Sequence, residues 1–146
     1  MLVQGMVDDA RQRLVTIGDD RPLIEAAGLL TQGAEILVVV EASGRIVGLI
    51  TKSDVVRQMS VCDGARCRCA VSTVMTQSVV TCTGSDSLQD VSDRMKQRHL
   101  KNIPVLDQDS RPIAVLTARS ILRVLLSDAE FEEAQLVDYV KGVGYR

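Results

Sequence analysis

Apolar residues along the chain follow two different periods, one typical of helices and one typical of buried strands. Leu23, Ala26, Ala27 and Leu30 recur at the three- and four-residue spacing of one helix face. Residues 36–40 form a continuous apolar run in which β-branched side chains dominate. This run is too short for a helix and is typical of a buried strand. The pattern therefore predicts a helix over Pro22–Thr31 followed by a strand over Ile36–Val40.

The same two periods define the other elements of the chain. In the first half they predict a short strand at Val15–Ile17, a returning strand at Arg45–Ile50 after the turn at Gly44, and a helix at Lys52–Met59. In the second half they predict strands at Val79–Cys82, Ile103–Leu106 and Ile113–Leu116, and helices at Leu88–Gln97 and Ala118–Leu126. Ser85 or Ser87 is suited to cap the helix that begins at Leu88. Both halves thus have the order β-α-β-β-α.

The two halves are copies of one unit. Val15 and Leu23 recur as Val80 and Leu88, 65 residues later. Thr51 and Arg57 recur as Thr117 and Arg123, 66 residues later, so the second copy has one extra residue. That residue falls near His99, for which we expect a helix-end or surface role. Because a two-stranded hairpin is marginal alone, we expect the copies to pair about a pseudo-twofold axis into one compact α/β (α+β) module with a larger sheet and a cleft between them.

The repeat divides the chain into five parts. These are a lead-in at 1–14, in which Val3–Leu14 is predicted as a short helix, the first repeat at 15–60, a cysteine-containing linker at 61–71, the second repeat at 72–127, and a C-terminal helix and tail at 128–146. We predict the C-terminal helix at Ala129–Lys141, before two glycines that are suited to end it.

Composition and charge exclude several classes of function. The net charge is −2 without a basic stripe, and only 2% of the residues are aromatic, so we expect no nucleic-acid partner. No apolar run approaches the length of a membrane span, and Met1–Asp8 does not resemble a secretory leader. We therefore expect a cytoplasmic protein without a membrane partner. Since no nucleophile–base pair or phosphate-binding glycine loop is found, we do not expect an enzyme.

Three motifs occur in the order of a known family. Gly48–Asp54 after a strand, Val74–Thr81 at the entry to the second repeat, and Asn102–Asp107 before a hairpin resemble those of tandem CBS domains, which form a Bateman module. The resemblance covers about residues 14–127. It implies a stand-alone regulatory module that binds an adenosine-containing ligand (AMP, ADP, ATP, NAD(H) or S-adenosylmethionine) in the cleft. It also implies a homodimer that passes an energy or metabolite signal to an effector protein.

The first candidate ligand site is built on Thr51 and Asp54. A carboxylate can accept hydrogen bonds from both hydroxyls of a ribose, and Thr51 stands at a predicted helix start, which favours phosphate. The resemblance adds Val80, Lys101, Asn102, Ile103 and Pro104 to this site. The alternative is a capping box, in which Thr51 and Asp54 only satisfy the first turn of the helix.

The second candidate site is built on Thr117 and Ser120. The resemblance completes it with Thr16, Ile36, Leu37 and Val38. Ser120 stands where the first repeat has Asp54, and a hydroxyl does not replace the paired acceptance of a carboxylate. We therefore expect this site to be weaker, differently specific or empty.

Two other classes of function stay open at this stage. The module could be a dimerisation or interaction adaptor that binds no ligand, with Thr51 and Asp54 as a cap. Cys62, Cys67 and Cys69 could form a metal- or redox-responsive linker, although their spacing is not that of a standard zinc knuckle and we predict no metal site. Cys82 lies in a predicted strand and is expected to be a buried small apolar residue.

Overall fold

The computed structural model describes residues 1–61 and 69–127, and both copies are present with the predicted order of elements. A short helix, α1 (Val7–Ala10), precedes the first copy. The first copy consists of β1 (Thr16–Gly18), α2 (Leu23–Thr31), β2 (Ile36–Val40), β3 (Ile46–Thr51) and α3 (Lys52–Val61). The second consists of β4 (Cys82–Thr83), α4 (Leu88–Arg98), β5 (Asn102–Leu106), β6 (Pro112–Thr117) and α5, a helix over 118–127. The mixed α/β class with two β-α-β-β-α repeats is confirmed.

The strands form two separate sheets rather than the one larger sheet that we expected. Each sheet has three strands, in the orders β1-β2-β3 and β4-β5-β6, with a parallel first pair and an antiparallel second pair. The copies meet through the faces of their sheets, where Ile36, Val38 and Val115 are buried together. Alternate residues of a strand point to opposite faces, so Leu37 and Val39 enter the core of their own repeat. The fully apolar β2 is thus buried on both faces, which makes edge-to-edge pairing unnecessary.

Each repeat has its own core, and each core is completed by the segment that leads into the other repeat. Val3 and Met6 of the N-terminal segment are buried in the core of the second repeat. Val71 is buried in the core of the first repeat, with Val74 and Met75 packed against it. The lead-in segment is not the single helix that we predicted, because α1 has only four residues and lies between two short 3-10 turns.

The strand predicted at Val79–Cys82 is wrong in its position, and Pro104 explains why. In the first repeat, the Val38 N–H donates to the Val15 carbonyl at 2.9 Å, which begins the β1–β2 pairing. The equivalent residue of the second repeat is Pro104, which has no N–H to donate. Pairing between β4 and β5 therefore begins one residue later, at Cys82 opposite Val105.

Parts of the sequence-based predictions lie outside the described residues. These parts are the helix at Ala129–Lys141 and most of the cysteine linker, including Cys62 and Cys67. Within 1–61 and 69–127, no helix combines the length and the apolar character that crossing a membrane requires.

Candidate functional site

The start of α3 is held by a reciprocal pair of hydrogen bonds between Thr51 and Asp54. The Thr51 N–H donates to Asp54 Oδ2 at 2.9 Å, and the Asp54 N–H donates to Thr51 Oγ1 at 3.3 Å. The Thr51 hydroxyl also donates to Asp54 Oδ2 at 3.1 Å. This is the capping box that the sequence allowed, so the capping role of both residues is confirmed.

The Asp54 carboxylate makes further contacts beyond the cap. The Thr76 hydroxyl, which lies at the entry to the second repeat, donates to Asp54 Oδ1 at 3.3 Å. Arg57, one turn later on α3, places Nη1 at 3.5 Å from Oδ1. Only 5% of Asp54 is exposed, and a buried carboxylate requires partners of this kind. A ribose could therefore reach these oxygens only by replacing Thr76 or Arg57.

Thr117 and Ser120 repeat the same cap at the start of α5 without a charge. The Ser120 N–H donates to Thr117 Oγ1 at 3.0 Å, and the Thr117 N–H donates to Ser120 Oγ at 3.3 Å. The Ser120 hydroxyl in turn donates to the Thr117 carbonyl at 2.9 Å. The hydroxyl thus satisfies the helix start as Asp54 does, but it adds no negative charge there.

Two adjoining cavities open beside Thr117, between the repeats. The larger, of about 570 Å³, is lined by Arg13, Glu35, Lys101, Thr117, Ala118, Arg119, Ser120 and Arg123. The smaller, of about 400 Å³, is lined by Gln12, Arg13, Val15, Gly33, Ala34, Glu35, Ile36, Asn102, Val115 and Thr117. At their junction, Asn102 Nδ2 donates to Glu35 Oε2 at 3.3 Å. We call the two cavities together the basic cleft, since four of their lining residues are basic.

The structure brings together part of the predicted second site. Thr117, Ser120 and Ile36 line the basic cleft. Val38 is buried between the repeats, and Leu37 points into the core of the first repeat, as the alternation along β2 requires. Thr16 is exposed on β1 and does not line either cavity.

The residues predicted for the first site are distributed over three places. Thr51 and Asp54 form the cap of α3. Lys101 and Asn102 line the basic cleft, on the side of the second site. The remaining three are apolar: Ile103 belongs to the core of the second repeat, Val80 packs against that core, and Pro104 is buried in β5.

Sequence reasoning missed Arg13, Glu35 and Arg123 as lining residues and Thr76 as a partner of Asp54. The repeat aligns Arg57 with Arg123, each one turn after its cap. This match is the sequence signal from which Arg123 could have been found. Arg13 and Thr76 come from the two lead-in segments, which cross to the opposite repeat. No local pattern indicates that crossing.

Two of the cysteines belong to the described residues. Cys82 is 2% exposed in the core of the second repeat, which confirms its prediction as a buried apolar residue. Burial, and secondarily the charge of Asp86, raises the pKa of its thiol to about 12, so it is unreactive at neutral pH. Cys69 is half-buried against the core of the first repeat. The described residues contain no cluster of three metal-binding side chains, while Cys62 and Cys67 lie outside them.

The fold and the pair of capped helix starts define a tandem repeat module, and comparison with known families identifies it. The family model of the CBS domain matches residues 7–61 and 71–127. The chain therefore belongs to the CBS domain family and contains two copies of that domain.

A curated relative and two solved structures illustrate the similarity. The homoserine O-acetyltransferase of Methanohalobium evestigatum is 25% identical over 122 residues, which are 82% of this chain and 23% of that protein. The chain spans about a quarter of the length of such relatives. The CBS domain pair of protein MJ0100, in complex with 5-methylthioadenosine and S-adenosyl-L-methionine, has a TM-score of 0.71 at 22% identity, over 88% of this chain and 98% of that one. The cytosolic domain of the Mg²⁺ channel MgtE, in complex with ATP, has a TM-score of 0.65 at 22% identity, over 77% and 45%.

Proposed function

We propose that the chain is a regulatory module that binds an adenosine-containing ligand between its two CBS domains and passes this information to a partner protein. The observation that carries the proposal is the basic cleft, whose cavities of about 570 and 400 Å³ have the size of small-molecule sites. The proposal assigns no catalysed reaction to the chain.

The two cavities of the basic cleft suit the two ends of a nucleotide. The smaller is lined in part by Val15, Ile36 and Val115, an apolar surface against which an adenine ring can pack. The larger offers several basic side chains, which suit phosphates. A phosphorylated adenosine would therefore lie with its base between the sheets and its phosphates near α5.

The similar structures support the class of ligand. Protein MJ0100 is described with S-adenosyl-L-methionine and 5-methylthioadenosine, and MgtE with ATP. These ligands share an adenosine moiety and differ in the charge of the group attached to it. We propose the shared moiety for this chain, with AMP, ADP, ATP, NAD(H) and S-adenosylmethionine as the candidates to test.

Asp54 does not line the basic cleft, so we propose the start of α3 as a second, separate ribose site that offers a route from binding to regulation. Asp54 Oδ1 is contacted by Thr76, at 3.3 Å, and by Arg57, at 3.5 Å. A ribose that takes over this carboxylate would displace the Thr76 hydroxyl. Because Thr76 pairs with Leu49 at the edge of β3, binding would loosen the segment that connects the repeats. A ligand shifts the conformation only as far as it prefers one arrangement, and this exchange supplies such a preference.

Thermal shift and calorimetry with the candidate ligands test the proposal. A ligand at a hundredfold its dissociation constant stabilises the folded state by about 2.7 kcal/mol, so at least one candidate should raise Tm by several degrees. Asp54→Asn keeps an oxygen for the α3 cap but loses the charge, and we expect it to weaken binding at the α3 site about tenfold, or 1.4 kcal/mol. Ser120→Ala should have a smaller effect.

The control for these variants is Asp93→Asn, which removes an exposed carboxylate from α4 and should bind as the unaltered chain does. If no candidate raises Tm, the chain is not an adenosine sensor. Equal loss of affinity in Asp54→Asn and Asp93→Asn would remove Asp54 from the site and leave only a general effect of charge.

A second function, that of a dimerisation adaptor, is favoured by apolar residues on the surface. Val56 and Met59 on α3 are 64% and 62% exposed, and Leu122 and Leu126 on α5 are 49% and 54% exposed. Val56 and Leu122 occupy equivalent positions in the two repeats. Exposed apolar patches of this kind mark interaction surfaces. We propose that this surface joins two copies of the chain, with or without a bound ligand.

A further inference from the structure

The two repeats differ in charge at three of four equivalent positions that lie near their capped helices or line the basic cleft. Each of these positions in the second repeat lies 66 residues after its equivalent in the first. Where the first repeat has Glu35, Ser53, Asp54 and Arg57, the second has Lys101, Arg119, Ser120 and Arg123. The first set contains two carboxylates and one guanidinium. The second contains three cations and no carboxylate. With Lys52 and its equivalent Ala118 included, the net charges of the two sets are 0 and +3, so the second set is clearly the more basic.

The cations of the second repeat converge on one concave surface. Lys101, Arg119 and Arg123 line the larger cavity of the basic cleft together with Arg13, and among the described residues that line it Glu35 is the only carboxylate. Arg13 contacts the exposed Asp9 at 3.7 Å. In the described part of the chain, none of the other three basic residues forms a salt bridge.

Arg57, the residue of the first repeat that is equivalent to Arg123, has a carboxylate partner in its own repeat. Arg57 lies 3.5 Å from Asp54, so its charge is compensated inside its own repeat. Arg123 has Ser120 at the same offset, whose hydroxyl is engaged with Thr117. Arg119 and Arg123 also stand four residues apart on α5, where like charges repel each other. An anion in the cavity would relieve this repulsion.

We infer that the Ser120 end of the basic cleft is an oligophosphate site, in which phosphate oxygens occupy the place that the Asp54 carboxylate takes in the first repeat. Guanidinium groups bind phosphate with charge-assisted hydrogen bonds, and a cleft lined by one sign of charge concentrates the opposite ion. Because position 120 is serine where the first repeat has Asp54, no carboxylate at this position repels the anion or binds a ribose. The inference rests on the proposed function only in sharing its cleft, since it requires phosphates and not a nucleoside.

Calorimetric titration with sodium tripolyphosphate tests the inference on the full chain. We expect binding to the unaltered chain that weakens as salt is added, since the contact is ionic. Arg123→Gln and Ser120→Asp should each reduce the affinity tenfold or more. Asp54 makes the reciprocal cap with Thr51 in the first repeat, so Ser120→Asp should keep the start of α5 while it returns the carboxylate. ATP should compete with tripolyphosphate, whereas adenosine should not.

The matched control is Arg57→Gln, which removes the equivalent guanidinium from the first repeat and should leave tripolyphosphate affinity unchanged. The Tm of each ligand-free variant verifies that it folds. Absence of tripolyphosphate binding, or equal losses in Arg57→Gln and Arg123→Gln, would overturn the inference.

The outcomes separate this inference from the proposed function. If an adenosine ligand binds through Asp54 while tripolyphosphate does not bind, the oligophosphate site is wrong and the adenosine sensor stands. If tripolyphosphate and ATP bind through Arg123 while adenosine and S-adenosylmethionine do not bind and Asp54→Asn has no effect, the oligophosphate site stands and the adenosine sensor is wrong.

Discussion

The backbone of His99 adopts the left-handed conformation at the end of α4, with φ of 55° and ψ of 42°. This conformation ends the helix and turns the chain towards β5. The equivalent residue of the first repeat is Gly33, with φ of 114°. Glycine adopts positive φ without steric cost, whereas a residue with a Cβ is disfavoured there. The helix-end position predicted for His99 is confirmed, and its conformation shows that the site is suited to glycine.

Replacing His99 by glycine should stabilise the chain. His99 is exposed, so few contacts are lost, and we expect His99→Gly to raise the free energy of unfolding by about 0.5–1 kcal/mol. Equilibrium denaturation of both proteins measures this difference. His99→Ala is the control, because alanine loses the same side chain but keeps the Cβ, and it should give no gain. Equal stabilisation by both variants would show that the histidine side chain, not the backbone, is unfavourable.

At the same scale, the sequence predicts residues whose role is local and misses those whose role depends on distant contacts. Thr51 and Asp54 are three residues apart, and their capping box follows from spacing alone. The contact between Thr76 and Asp54 spans 22 residues, and Arg13 reaches the cavity at Ser120 from the other end of the chain. The caps were therefore predictable, whereas the composition of the cleft was not.

At the scale of elements, the segment before the second repeat is fixed to the edge of β3. Leu49 and Thr76 exchange backbone hydrogen bonds at 3.0 and 2.8 Å, and the neighbouring Gly48 lets Met75 approach closely. A Cβ built at Gly48 would lie 2.6 Å from Met75 Sδ and 2.9 Å from the Thr76 carbonyl oxygen. Gly48 is thus required by close packing of another segment, at the edge where Thr76 also reaches Asp54.

Gly48→Ala should therefore destabilise the chain, by about 1–3 kcal/mol as for other overpacking substitutions. The matched control is Gly28→Ala, within the exposed face of α2, where a Cβ would meet nothing within 4 Å. There alanine favours the helix, and we expect a gain of about 0.5–1 kcal/mol. Equilibrium denaturation should show a lower free energy of unfolding for Gly48→Ala and a higher one for Gly28→Ala. A neutral Gly48→Ala would mean that Met75 moves aside and that the segment is not held closely on β3.

The boundaries of the elements show where periodicity is sufficient and where it fails. The run at Ile36–Val40 was predicted with its observed limits, because its apolar residues are continuous. The first strand of the second repeat was displaced, since its position depends on a missing N–H at Pro104 in the neighbouring strand. The lead-in was predicted as one helix, but it contains short 3-10 turns, and its apolar residues pack into the core of the second repeat.

At the scale of the whole molecule, the repeats are interlocked by their crossed lead-in segments. Val3 lies in the core of the second repeat and Val71 in the core of the first. Neither core is complete without a segment from before the other repeat, so we expect the two repeats to unfold as one cooperative unit. The repeat itself was visible in the sequence. The exchange of segments was not, because an apolar pattern indicates that a face is buried but not against which partner.

The apolar surface formed by Val56, Met59, Leu122 and Leu126 provides the last prediction, which concerns assembly. Val56 and Leu122 occupy equivalent positions on the equivalent helices α3 and α5, and all four side chains are about half exposed or more. We expect the chain to sediment as a homodimer, and we expect the double variant Val56→Asp, Leu122→Asp to sediment as a monomer. Charges placed in an apolar interface lose their solvation without gaining partners, whereas in the monomer they lie in water and leave Tm nearly unchanged.

Ile24→Asp is the control for this experiment, because Ile24 is 63% exposed on α2, outside the proposed interface. It introduces one such charge at a similarly exposed apolar site and should remain a dimer. Sedimentation over a range of protein concentrations separates weak from absent association, since a dimer dissociates on dilution according to mass action. A monomeric unaltered chain would exclude the homodimer. A double variant that stays dimeric would place the interface elsewhere, and the repeated apolar positions on α3 and α5 would then be available to a different protein.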